Sequence, residues 1–275
     1  MRKEIDLSMF TRKSVLAAAS AIVVLAFAGC TSSGIGNAIS GATGGKGDLR
    51  AMDAAPAAPG PLSMLVANTT INSNLTASTP VGVYALVGAG NQNIQISPTN
   101  VPTQTQSIAA STFYTMVLAG EPGQADYAMY LLEDTNSSPS ASTVRFKVND
   151  AAPAPGPIDV YVYQGAQPAT PTVPGLTVGK DSGSIANAPG NAYIPTLGSA
   201  TVLPSGSYTI TVTPAGTPGT ILFTGSANLT TGNSYSYTVE DVSSGSPSAA
   251  QVILAIDQPA QVSNQASLMS ASRLP

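Results

Sequence analysis

Short runs in which apolar and polar positions alternate dominate this chain. Tyr208, Ile210 and Val212 interleave with Thr209, Thr211 and Thr213, which places the first set on one face of a strand and the hydroxyls on the other. Similar runs occur at Leu62–Val66, Val83–Val87, Ile94–Ile96, Tyr114–Leu118 and Tyr127–Leu132, and again at Val144–Val148, Ile158–Tyr163, Ile221–Phe223, Tyr235–Val239 and Val252–Ile256. Turn residues separate them at the spacing typical of a sandwich. Beyond residue 30 no stretch keeps a helical period. The pattern predicts an all-β chain built of antiparallel, immunoglobulin-like β-sandwiches.

An internal repeat sets the number of sandwiches. Asp53-Ala-Ala-Pro-Ala-Ala-Pro-Gly-Pro-Leu-Ser-Met-Leu-Val66 recurs as Asp150-Ala-Ala-Pro-Ala-Pro-Gly-Pro-Ile-Asp-Val-Tyr-Val162, with Ala58 as the single extra residue. Gly90–Pro98 parallels Gly206–Pro214, and Phe113–Val117 is matched to Ser236–Val239. Two tandem domains follow, near 47–140 and 141–260, with a C-terminal tail at 261–275. The second copy holds about 20 more residues between its first two shared blocks, near Gln164–Leu203, so an enlarged loop or extra hairpin is expected there.

The N-terminus follows a different logic. Arg2, Lys3, Arg12 and Lys13 precede an apolar segment, Val15–Ala28, interrupted only by Ser20, and the run ends Leu-Ala-Phe-Ala-Gly-Cys30. It is shorter than the ~20 residues a membrane-crossing helix needs. The arrangement resembles a bacterial lipoprotein signal at 1–29, which implies that Cys30 carries a diacylglyceryl group and becomes the new N-terminus. With further acylation such an anchor is stable. Residues 30–46 are Gly/Ser-rich and are expected to form a flexible tether of roughly 20 to 24 Å. By the same resemblance, Thr31 after the cysteine implies outer-membrane sorting in a Gram-negative host.

Removal of the leader lowers the basic count from 10 to 6 and the acidic count from 14 to 12. A mildly acidic chain with scattered cations disfavours nucleic acid. The chain has no histidine, no tryptophan and one cysteine, so a Ser-His-Asp or Cys-His relay cannot form and zinc loses its preferred ligands. No catalytic residue, metal site or cofactor is assigned. Glu133-Asp134 and Glu240-Asp241 are the weighed acid pairs for hydrolysis. Asp53 and Asp150, each before a Pro-containing turn, read as acceptors of backbone N–H groups. The rival for Asp150 is a calcium site shared with Glu133 or Asp134. Tyr161 with Tyr163, and Tyr235 with Tyr237, form rows that serve either core packing or, if exposed, glycan stacking. The sequons at Asn68, Asn74, Asn136 and Asn228 read as surface amides.

The repeated Asp-Ala-Ala-Pro block, followed by an alternating strand, resembles the domain-of-unknown-function 4397 family of secreted and surface-attached bacterial proteins. The likeness is strongest over Arg50–Val66 and Arg145–Tyr163. Family copies often carry a His before the Pro-containing turn; Asp53 and Asp150 stand there in this chain, while Asp159-Val160-Tyr161 keeps the following strand. The resemblance implies a secreted or surface-attached setting and no established activity. The expectation is a lipid-anchored envelope protein whose sandwiches are non-catalytic spacers or interaction modules. Its expected partners are the membrane, through Cys30, and an envelope protein or glycan, the glycan-binding alternative resting on the Tyr rows.

Overall fold

The computed structural model describes residues 45–76, 78–134, 144–182, 205–230, 233–242, 248–257 and 272–274, which lie within one compact unit. Cys30, the leader, most of the tether and Asn136 fall outside this set. So do residues 183–204, the larger part of the enlarged segment of the second copy.

Among the described residues there are strands and turns but no helix. The first lobe holds β1 (Lys46–Ala54), β2 (Leu62–Val66), β3 (Thr69–Leu75), β4 (Ala85–Gly88), β5 (Gly90–Ser97), β6 (Gln104–Ile108), β7 (Phe113–Ala119) and β8 (Ala128–Asp134). The second holds β9 (Arg145–Ala151), β10 (Ile158–Tyr163), β11 (Val173–Leu176), β12 (Gly206–Pro214), β13 (Phe223–Leu229), β14 (Ser234–Asp241), β15 (Ala250–Ile256) and β16 (Ser272–Leu274). In the first lobe an inner sheet ordered β4-β1-β7-β8 packs on an outer sheet β3-β2-β5-β6. The second repeats this with β9-β14-β15-β16 inside and β11-β10-β12-β13 outside. The closing strand β16 lies within the segment read as a tail.

Most pairs are antiparallel, but β1 runs parallel to β7 and β9 parallel to β14. Alternation reports which face a side chain takes and carries no strand direction. In each lobe the chain leaves the inner sheet after its first strand, passes through the outer sheet, and later returns beside that strand in the same direction; in the first lobe it also adds β4 to the inner sheet midway, antiparallel to β1.

The two inner sheets face each other, so their strands are buried on both sides. On β1, Leu49 and Ala51 enter the first lobe's core, while Met52 and Ala54 enter a third cluster between the lobes. On β7 the split is Tyr114, Met116 and Leu118 against Val117 and Ala119. This cluster also takes Leu132, Ala151, Ile253 and Ala255. The first lobe's outer sheet keeps the half-buried pattern, with Leu62, Met64 and Val66 buried between the half-exposed Ser63 and Leu65, whereas β10 of the second is buried on both faces. In the second core the rings of Phe146 and Tyr237 lie 5.5 Å apart.

The register corrects one sequence match. Arg50 opposes Thr115 on β7, and Lys147 opposes Ser236 on β14, so Thr115 corresponds to Ser236 and Tyr114 to Tyr235, two residues from the alignment read in the sequence. Both tyrosine hydroxyls confirm it. Tyr114 accepts from the Ala109 amide at 3.3 Å, and Tyr235 accepts from the Thr230 amide at 3.1 Å, each five residues upstream.

Candidate functional site

The densest polar constellation among the described residues lies between the lobes. On the first strand of each inner sheet a cation points away from its own core, Arg50 on β1 and Lys147 on β9, and both are 0% exposed. Each meets a carboxylate supplied by the other lobe. Arg50 Nη2 donates to Asp257 Oδ1, and Lys147 Nζ donates to Asp134 Oδ1. Each carboxylate also takes a hydroxyl from its own lobe: Thr115 Oγ1 donates to Asp134 Oδ2 at 2.5 Å, and Ser236 Oγ donates to Asp257. Arg50 Nε donates to Thr115 Oγ1 at 2.8 Å. Its guanidinium lies 4.5 Å from the centre of the Tyr84 ring, and Tyr84 OH donates to Asp134 Oδ2 at 2.7 Å. Two cations and two anions thus meet out of water.

Burial by itself raises the Asp134 carboxyl, but Lys147 and Arg50 overcome it and hold the group below the usual carboxylate range. Burial pushes the Tyr84 hydroxyl well up, so it remains a donor. The four charged side chains are all buried, and they tie the lobes to each other. The sequence flags it in one way only: each cation stands three residues before the repeated Asp, Arg50 before Asp53 and Lys147 before Asp150.

The other acids follow separate logic. Asp53 Oδ1 accepts from the Ala55 amide at 3.2 Å and Asp150 Oδ1 from the Ala152 amide at 2.9 Å, the turn-capping role expected of them. The calcium set of Asp150 with Glu133 or Asp134 does not assemble, because both Asp134 oxygens are engaged in the junction and Glu133 is exposed. Among the described residues no three acidic, His or Cys side chains converge on a metal position. Nor do the acid pairs frame a cleft, since neighbours on a strand point to opposite faces: Glu240 enters the junction face, while Asp241 Oδ1 accepts from the Ala154 amide at 3.2 Å. Asp150 Oδ2 is buried with no hydrogen-bond partner, and burial, reinforced by Asp241, pushes this carboxyl up to about 8. Burial takes Asp241 to about 6, with Asp126 and Glu121 of the first lobe adding to the rise.

The Tyr rows are not exposed. Tyr235 and Tyr237 belong to the second core, at 4% and 0% exposure. Tyr161 lies on the opposite face of the outer sheet from that core and is still only 2% exposed, and Tyr163 is half-buried, its hydroxyl 3.2 Å from Thr211 Oγ1. Tyr161, Tyr235 and Tyr237 thus present no open ring face, and of the two rows Tyr163 alone is partly exposed. Sequons Asn68, Asn74 and Asn228 are exposed, as expected of surface amides. At the end of the first lobe Pro59, Pro98, Pro122, Asn100 and Tyr127 help line a groove of about 670 Å³ that holds no paired acid or base.

The family model for a domain of unknown function, DUF4397, matches residues 47–161. The match begins in β1, covers the first lobe and continues through β9 into β10, so it contains both Asp-Ala-Ala-Pro blocks. It also contains three of the four junction charges, Arg50, Asp134 and Lys147. DUF4397 carries no assigned activity to transfer. No curated protein matches the chain.

Proposed function

We propose that this chain is a lipid-anchored protein of the bacterial cell envelope whose two lobes are tandem DUF4397-type sandwiches acting as a non-catalytic spacer or interaction body. The observation that carries this reading is the use made of its strongest charges. Arg50, Lys147, Asp134 and Asp257 are buried against one another and join the lobes, and none faces a cleft. Such a junction turns two modules into one stiff body, which suits a spacer. The anchor rests on the leader, on Cys30 as the sole thiol, and on the Gly/Ser-rich tether. In a Gram-negative host Thr31 sends it to the outer membrane. The partners are then the membrane, through the acylated Cys30, and an envelope protein held by the exposed lobes; nucleic acid is excluded by the acidic balance.

Intact mass and detergent-phase partition of the protein from its native host test this reading. The expected result is a chain that starts at an acylated Cys30 and enters the detergent phase, with a Cys30→Ser variant moving to the aqueous phase. A native chain beginning at Met1, or one wholly aqueous, overturns the anchor. Turnover of a glycoside or ester abolished by an acidic substitution overturns the non-catalytic role.

A further inference from the structure

The lobe junction has the form of a homodimer interface folded into one chain. Arg50 and Lys147 occupy equivalent places, opposite Thr115 and Ser236. Asp134 opposes Phe113, and Asp257 hydrogen-bonds through its amide to Ser234 O at 2.8 Å, so the two carboxylates are equivalent as well. The cation of the first lobe meets the carboxylate of the second, and the cation of the second meets the carboxylate of the first. A contact between i and j that is mirrored by one between j and i defines an isologous, two-fold interface.

We infer that this face is a self-recognition surface, and that a second copy of the chain can supply the partner lobe to give a lobe-exchanged dimer. Three observations support it. Each lobe has its own core, so a lobe remains a defined body when its partner changes. The reciprocal ion pairs are satisfied equally whether the second lobe comes from the same chain or another. The only covalent link that must change its path runs from Asp134 to Val144, ten residue steps that reach roughly 33 to 36 Å when extended. The connector gives the closed form an effective concentration of about millimolar, so exchange requires chains crowded to that level, as on a membrane surface. The inference goes beyond the spacer reading and does not depend on acylation of Cys30.

Complementary charge reversal in the full mature chain tests it. Arg50→Asp alone, or Asp257→Arg alone, places like charges together in the closed form and in any dimer of identical copies. When the two variants are refolded together, exchange pairs the reversed position of one chain with the reversed position of the other at one junction and leaves the natural pair at the second. Light scattering is expected to show a one-to-one dimer at micromolar concentration, at least about tenfold more abundant than in either variant alone. The chain carrying both substitutions is expected to be monomeric. A mixture without dimer, alongside a folded double variant, overturns the inference. If the double variant does not fold, the unmodified chain decides: donor- and acceptor-labelled pools refolded together at about millimolar concentration are expected to yield an energy-transferring dimer after dilution, and its absence overturns the proposal.

Discussion

Replacing Asp134 by Asn removes one charge from the junction while keeping the side chain's shape, so packing is unchanged and electrostatics alone is probed. Asp134 accepts from Lys147 Nζ, from Thr115 Oγ1 at 2.5 Å and from Tyr84 OH at 2.7 Å, and Arg50 Nη2 is 4.0 Å away. An amide oxygen can still receive the two hydroxyls. It cannot neutralise Lys147, whose ammonium is 0% exposed. Breaking a buried pair from one side costs about 3–5 kcal/mol, because the remaining charge has lost its counterion in a dry site. For a body of this size each kcal/mol moves the melting temperature by about 2–4 °C, so a fall of roughly 6–20 °C is expected. Denaturant titration of the mature chain measures the free energy directly, and Asp134→Asn combined with Lys147→Met is expected to recover most of the loss, since removing both partners avoids the stranded charge. The pH profile supplies a second check. Because the folded-state carboxyl lies below its ordinary value of 3.8, its contribution is present above that value and disappears as pH falls through the folded-state pKa. The parent is therefore expected to lose more stability than Asp134→Asn on acidification. A single variant within about 0.5 kcal/mol of the parent, or a double variant no better than the single, would refute the electrostatic account.

Three further outcomes follow from other sites. Asp150 is pushed up to about 8 by burial, so the folded state holds its proton more tightly than the unfolded chain; the contribution of this one group to stability is fully present below about pH 4 and is lost toward pH 8, with a slope approaching about 1.4 kcal/mol per pH unit. Asp150→Asn, which can keep the Ala152 contact, is expected to flatten that decline in melts run across the range, and an unchanged profile counts against a protonated Asp150. Gly179→Ala is expected to lose about 1–3 kcal/mol, because its φ is +72° and a new Cβ would lie 2.1 Å from the Tyr130 ring of the other lobe. Gly216→Ala, at φ +74° in open space, should lose only the backbone part, about 1 kcal/mol, and equal losses would deny that the two lobes press together at Gly179. Tyr237→Phe is expected to be neutral or stabilising by up to about 1 kcal/mol in thermal melts, since its buried hydroxyl has no protein partner, and a loss above about 1 kcal/mol would reveal one.

How much of this could be read from the residues depended on where each strand lies. Strands β2 and β5 alternate in burial because they belong to an outer sheet with one face on a core, whereas β10 and much of β12 are buried on both faces although β12 alternates apolar and hydroxyl residues in sequence. Strand β1 passed unnoticed. Its Arg50 and Asp53 interrupt the apolar run, and only the junction and the turn explain why charges stand there. Strands β3 and β6 were missed for the opposite reason, being short of apolar residues. On β6 the half-buried Gln104 and Gln106 bond to the Met129 carbonyl and to each other. The repeat predicted two equivalent sandwiches but not their mutual docking. Arg50 and Asp257 are 207 residues apart in sequence, and no local pattern links them. The Tyr rows were ambiguous because a strand face can be inferred from parity, whereas its burial depends on what packs over it.

The junction also shows how two lobes joined in one chain free an interface from two-fold symmetry. In a true two-fold dimer, every apolar residue on one side is repeated on the other. Here the charges keep the reciprocity, as do Ala54 with Ala151 and Leu132 with Ala255, but other residues around them do not. Met52, Val117 and Ala119 of the first lobe correspond by register to Asn149, Thr238 and Glu240 of the second. Asn149 Nδ2 donates to Thr238 Oγ1 at 3.0 Å, so part of the polar side is satisfied within its own lobe. Two first lobes brought together would repeat the apolar patch, and two second lobes would bury Asn149 and Glu240 twice. The pairing of unlike lobes buries these polar groups once, and this favours the first lobe with the second over two second lobes. The ion pairs alone do not make that choice, because a first lobe carries both Arg50 and Asp134 and could satisfy a copy of itself. Discrimination against two second lobes therefore resides in these buried asymmetric positions, while the reciprocal charges fix the register in which the lobes meet.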